Sequence, residues 1–63
     1  MNKAQAESLK SSTCYMIENM ESALGDMDEH GLPEDEKIAI NNAIDIIFEL
    51  NQKYVKLSKD GED

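Results

Sequence analysis

The sequence predicts an all-α fold: an antiparallel two-helix hairpin that dimerises into a four-helix bundle. Three observations carry that expectation. Two long stretches place apolar residues at helical spacing. A Gly31-Leu32-Pro33 stop separates them. The second stretch is apolar around more of its circumference than one neighbouring helix can cover.

The first helix is expected from about Lys3 to His30, where Ala6, Leu9, Thr13, Met16, Met20, Ala23 and Met27 alternate steps of four and three, flanked by Ile17 and Leu24. At 100° per residue these positions fill an arc of roughly 120°, the width of a helix packed on one side. Gly31 falls where a left-handed residue closes a helix, Leu32 follows where it can touch Met27, and Pro33 forbids continuation. Pro33 also suits the first position of a new helix, and Glu34, Asp35 and Glu36 favour the positive end of its dipole. The turn is thus confined to about residues 31–32, and a turn so short joins antiparallel neighbours.

The second helix is expected over about residues 33–57. Its apolar positions, Ile40, Ala43, Ile44, Ile46, Ile47, Phe48, Leu50, Tyr54, Val55 and Leu57, spread over roughly 200° of the wheel, and Ile38 and Ala39 add more near its start. Residues 58–63 are short and polar and are expected to fray.

A chain of 63 residues buries only about 60% of the surface that its unfolded form exposes. Scaffolds of this size are stabilised by disulfides, a metal or oligomerisation. With one cysteine (Cys14) and one histidine (His30), oligomerisation is what remains. Each large apolar side chain left wet forfeits about 1.5–3 kcal/mol, so two second helices are expected to pair, with the first helices outside. The expected dimer core is Ile40, Ile44, Ile47, Phe48, Leu50, Asn51, Tyr54 and Val55. Asn51 lies near the middle of the apolar arc, where a polar residue can set register and copy number; on that placement Asn51→Leu raises the melting temperature and broadens the range of oligomers. The stripe of Met16, Met20 and Met27 reads first as ordinary core and second as an adaptable docking surface.

The formal charge is -8, from fourteen acids against six bases, and every base is a lysine. Without arginine there is no bidentate reader of guanine or phosphate, and net negative charge repels a polyanion. Direct nucleic-acid binding and anionic membrane surfaces are therefore disfavoured, and a solvated face or a partner protein with a basic surface is favoured. No apolar run approaches the roughly 20 residues of a membrane span. Nothing resembles a signal peptide, and a lone cysteine points to a reducing compartment, so the expected location is the cytoplasm.

Positions 26–37 superficially follow a calcium-loop pattern, with Asp26, Asp28, Gly31 and Glu34 in place. The last position holds Lys37 where a bidentate Glu is needed, which argues against calcium. His30 and Cys14 offer no ligand spacing for zinc, and Cys14 lies about 160° from Met16, off the apolar seam. No cofactor, metal or catalytic residue is expected. Candidate partner contacts are Tyr15, outside the seam, and the acids Asp26, Asp28, Glu29, Glu34, Asp35 and Glu36 at the hairpin tip. Solubility and helix capping account for such acids; the sharper reading is a tip that engages a basic surface.

Taken whole, the chain resembles the very small, acidic early proteins encoded between the recombination and excision functions of lambda-like temperate phages. The resemblance rests on size, on the opening Met1-Asn2-Lys3-Ala4-Gln5-Ala6, and on a helical hairpin around Gly31-Leu32-Pro33. It implies an accessory protein in the host cytoplasm that acts on host or phage factors through protein contacts. A second resemblance is to helix-hairpin phosphatases that dephosphorylate response regulators in sporulation, whose second helix carries Ser-Gln-Glu-Leu-Asp. The aligned positions here are Asn41, Asn42, Ala43, Ile44 and Asp45, which keep only an aliphatic and the aspartate. The expected function is accordingly a protein-binding accessory or regulatory factor and not an enzyme. An acidic mimic that occupies the nucleic-acid site of a basic protein is the alternative, and a phosphatase-like hairpin comes third.

Overall fold

Asn2 starts the first helix by a reciprocal pair of hydrogen bonds. Its side-chain oxygen accepts the Gln5 backbone N–H at 2.8 Å, and the Gln5 side chain accepts the Asn2 backbone N–H at 3.1 Å. Two donors that a helix start leaves without partners are thereby satisfied. In a computed structural model, which describes residues 1–60, helix α1 runs over Lys3–Glu29 and helix α2 over Glu34–Asp60, packed against each other as an antiparallel hairpin.

The stop between them is a Schellman closure. The Leu32 N–H donates to the Met27 carbonyl at 3.2 Å and the Gly31 N–H to the Asp28 carbonyl at 3.1 Å, with Gly31 in the left-handed region at φ +86°. His30 is the half-helical cap and its ring Nδ1 donates to the Asp26 carbonyl at 2.7 Å. Pro33 stands one residue ahead of α2; its carbonyl accepts the Lys37 N–H at 2.9 Å, the first bond of the new helix.

The expectation of a frayed tail from residue 58 is corrected in part, because α2 continues through Ser58 and Lys59 to Asp60. Ser58 is buried and its hydroxyl donates to the Val55 carbonyl at 2.8 Å. Packing against the start of α1 holds this last turn in helix. Residues 61–63 of the expected tail lie outside the described residues.

Two contacts set the register of the helices. Near the open end the Asn51 amide donates to the Thr13 hydroxyl at 2.9 Å, and at the turn Lys37 Nζ lies 3.3 Å from Asp28 Oδ1. Seven residues are close to two helical turns, so stepping seven from the Asn51–Thr13 level brings Ser58 level with Ala6 in one direction and Ile44 level with Met20 in the other. The seam is therefore narrow and half polar. Ala6 and Ile44 are the buried hydrophobics among the described residues, beside the buried polar side chains of Thr13, Asn51 and Ser58.

Gly31→Ala is expected to lower the stability of the hairpin by about 1–2 kcal/mol, the cost of a left-handed backbone for a residue with a Cβ. The added methyl meets nothing within 4 Å, so the whole effect is backbone strain. Urea unfolding at fixed protein concentration measures it, and an unchanged midpoint would contradict the assigned role of Gly31.

Candidate interaction surface

A 100° step per residue divides the side chains of the hairpin between a central seam and two faces. On α1, Ala6, Thr13, Ile17 and Leu24 point at α2. Leu9, Met16, Met20, Ala23 and Met27 turn to one side, and Lys10, Cys14 and Glu18 to the other. On α2, Ile44, Asn51 and Ser58 point at α1. Ala43, Ile47, Leu50, Tyr54 and Leu57 turn to one side, and Phe48 and Val55 to the other. Because the helices are antiparallel, Val55 shares a face with Lys10, Cys14 and Glu18, as their common groove requires. The methionine side of α1 therefore lies beside Ile47, Leu50, Tyr54 and Leu57.

That shared side forms one continuous apolar surface along the hairpin, which measures 47 × 16 × 12 Å between Cα extremes. Met16 keeps 45% of its surface exposed and Met27 keeps 43%. Ile47, Leu50, Tyr54 and Leu57 are half-buried, and Ile46 at the outer border is 64% exposed. Charged side chains approach this surface only near its borders, at Glu36, Asp26 and Lys53.

The expected dimer core is thus redistributed. Ile47, Leu50 and Tyr54 do lie together on an open apolar face. Ile44 and Asn51 do not belong to it, because α1 covers both, and Ile40 is half-buried at the seam's edge. Phe48 and Val55 lie on the opposite face, Phe48 with about half its surface exposed. The methionines, read first as core, flank the seam, because helices that approach over Ala6, Thr13 and Ser58 leave no room between them for long side chains. The sequence signal that could have revealed this was the run of small and polar residues seven apart, at Ala6 and Thr13 and again at Asn51 and Ser58.

Asn51 has a definite role within one chain. Its Nδ2 donates one hydrogen to Thr13 Oγ1 and the other to the Lys10 carbonyl at 3.0 Å. The Thr13 hydroxyl can accept because its own proton is directed back along α1, with the Leu9 carbonyl at 2.8 Å and the Lys10 carbonyl at 3.0 Å. Neither residue leaves a buried side-chain polar atom without a partner, so the pair meets the condition under which polar groups are tolerated in a core. The expectation that Asn51 sets the register of a dimer seam is corrected: it sets the register of α2 on α1.

The candidate partner contacts fall into two separate places. Asp26, Asp28, Glu29, Glu34, Asp35 and Glu36 are all exposed around the turn. Lys37 at the end of the calcium-like stretch is paired with Asp28. Tyr15 is 67% exposed and lies about 20 Å along α1 from Asp28, counting 1.5 Å per residue. It borders an open groove of about 440 Å³ lined also by Lys10, Cys14, Glu18, Asn51 and Val55. Cys14 is free and exposed there. Of the phosphatase-like positions, Ile44 is in the seam, Asn41 donates to the Lys37 carbonyl of its own helix at 3.1 Å, and Asp45 is exposed. Among the described residues no three His, Cys, Asp or Glu side chains converge on a metal position, and no helix is long and apolar enough to cross a membrane.

Comparison with protein-family models, characterised proteins and solved structures finds no match to this chain. The surfaces themselves are the basis for any functional reading.

Asn51→Ala is expected to cost about 1–2 kcal/mol, the net worth of two hydrogen bonds, with no change of oligomeric state. Combined with Thr13→Val in a double-mutant cycle, it should show a coupling of about 0.5–1.5 kcal/mol. Additive effects in denaturant unfolding would remove Asn51 from its assigned place.

Proposed function

We propose that this chain is a small protein-binding accessory or regulatory factor that works as a homodimer, formed by face-to-face packing of the open apolar surfaces into a four-helix bundle. One observation carries the reading: the hairpin buries only Ala6 and Ile44 among its described apolar side chains and leaves a charge-free apolar strip along its length. A monomer of 7.1 kDa is expected to expose about 4,100 Å², and this hairpin exposes 4633 Å². The strip runs from Leu9 to Met27 on α1, about 27 Å at 1.5 Å per residue, more than half of the hairpin's 47 Å length. Leaving Met16, Ile47, Leu50 and Tyr54 wet forfeits a substantial part of about 1.5–3 kcal/mol for each, comparable to the whole stability of a small domain.

Pairing in this way brings the first helices into the interface through Leu9, Met16 and Met27, where the unbranched thioethers adapt to the facing surface. A third protein then meets the acidic tip and the outer face of α1 with Tyr15. A cytoplasmic role on host or phage factors is what the resemblance to temperate-phage early proteins adds. The six exposed acids at the tip support a second reading, an acidic mimic of nucleic acid. Competition separates the two: a mimic displaces DNA from its basic partner and loses that effect when Glu34, Asp35 and Glu36 are changed to Lys, whereas an adaptor binds its partner without regard to DNA.

Self-association is tested by sedimentation equilibrium. The wild-type chain is expected at twice its 7.1 kDa mass, and Leu50→Lys, which places a charge in the strip, is expected to raise the dissociation constant at least about 100-fold, the cost of an unpaired charge in a dry interface. A wild-type chain that sediments as a monomer up to 100-fold above ordinary working concentrations, or a Leu50→Lys variant that dimerises as the wild type does, would overturn the reading.

A further inference from the structure

Charge is segregated along the hairpin. Lys3, Lys10, Lys53, Lys56 and Lys59 all lie in the half that holds the helix ends remote from the turn. The sixth lysine, Lys37, is engaged with Asp28 at the turn. Around the turn stand Asp26, Asp28, Glu29, Glu34, Asp35 and Glu36, with Glu18, Glu21 and Asp45 between them and the middle of the hairpin. Glu7 and Glu49 lie in the lysine-bearing half and Asp60, Glu62 and Asp63 follow Lys59 in the sequence, so its five lysines are matched in number by five acids and the net charge of -8 belongs to the turn half; Glu7 is paired with Lys10 at 3.0 Å.

Two symmetric ways of laying one apolar strip on another are open to identical copies. With the two-fold axis parallel to the helices, the turns of both copies lie at the same end. With the axis across the helices, the copies run antiparallel and each turn lies over the partner's lysine end. Helix dipoles do not separate these arrangements, because in either one every helix has antiparallel nearest neighbours. Charge does. The first gathers two acidic clusters within a few Debye lengths, about 8 Å each at physiological ionic strength, and the second holds the two clusters at opposite ends, each over a half of the partner in which lysines offset the acids.

We infer that the occupant of the apolar strip is a second copy of this chain in the antiparallel orientation, with the two-fold axis crossing the strip near Met16 and Ile47. This inference rests on the self-association proposed above and adds its geometry. Met16 and Ile47 stand within one residue of the same height, because Asn51 is level with Thr13. The axis places Met16 beside its own counterpart and brings Leu9 opposite the partner's Ala23. On the paired first helices a large side chain then meets a small one, as interdigitated packing requires.

The test is a distance between copies, measured by pulsed electron paramagnetic resonance on the full chain in a Cys14→Ser background. Glu29→Cys, at the turn and away from the strip, carries one nitroxide. Ala4→Cys, at the opposite end, carries it in a second variant, so that neither end is read through a single substitution. At 1.5 Å per residue the antiparallel dimer puts both like pairs about 35–40 Å apart, and the parallel dimer brings both below about 25 Å. The long distances support the inference. Short distances in dimeric samples overturn the orientation and leave self-association standing. Absence of coupling between copies, in samples that sediment as monomers, overturns both.

Discussion

The Asn51 carboxamide governs how this hairpin is built. It reaches across the seam to the Thr13 hydroxyl and the Lys10 carbonyl, and both of its hydrogens are used. Satisfying them demands one axial register and one rotation of α2 about its own axis. Shifting α2 by a single residue would turn Asn51 by 100° and strand a buried amide, which costs more than the hydrogen bonds gain. The Schellman closure at Gly31 and the Lys37–Asp28 pair agree with the same register at the other end. The ion pair is half exposed and contributes little to stability by itself; its value lies in that agreement.

That rotation has a consequence for everything outside the seam. With Asn51, Ser58 and Ile44 directed at α1, the contact is lined by small and polar side chains, and the long apolar ones are displaced to the flanks. Leu9, Met16 and Met27 from one helix and Ile47, Leu50, Tyr54 and Leu57 from the other end up side by side. An apolar strip of this length is uncommon on a protein that works alone. The same polar contact that specifies the hairpin therefore leaves the apolar strip on its outside, so the seam and the strip are two results of one rotational choice.

The function proposed for this chain rests on its surfaces. The acidic turn, the methionine-bearing strip and the groove beside Tyr15 are separate along and around the hairpin. They can be occupied at once without competing for side chains. The net charge of -8 favours encounter with basic surfaces over polyanions.

The sequence by itself determined the helices and the turn. Spacing located both helices to within a few residues, and Gly31, Leu32 and Pro33 allowed only one kind of stop between them, because each acts through local backbone geometry. Excess apolar surface on α2 was legible for the same reason, since a wheel depends only on the 100° step. Which part of that roughly 200° arc would face α1 was not legible, and so Asn51 and Ile44 were expected in an outer seam while the methionines were expected inside. A wheel gives the angle between residues on one helix but no angle between helices. That second angle is decided only when the Asn51 amide finds the Thr13 hydroxyl, thirty-eight positions away in the chain, and the tertiary structure is where that meeting takes place.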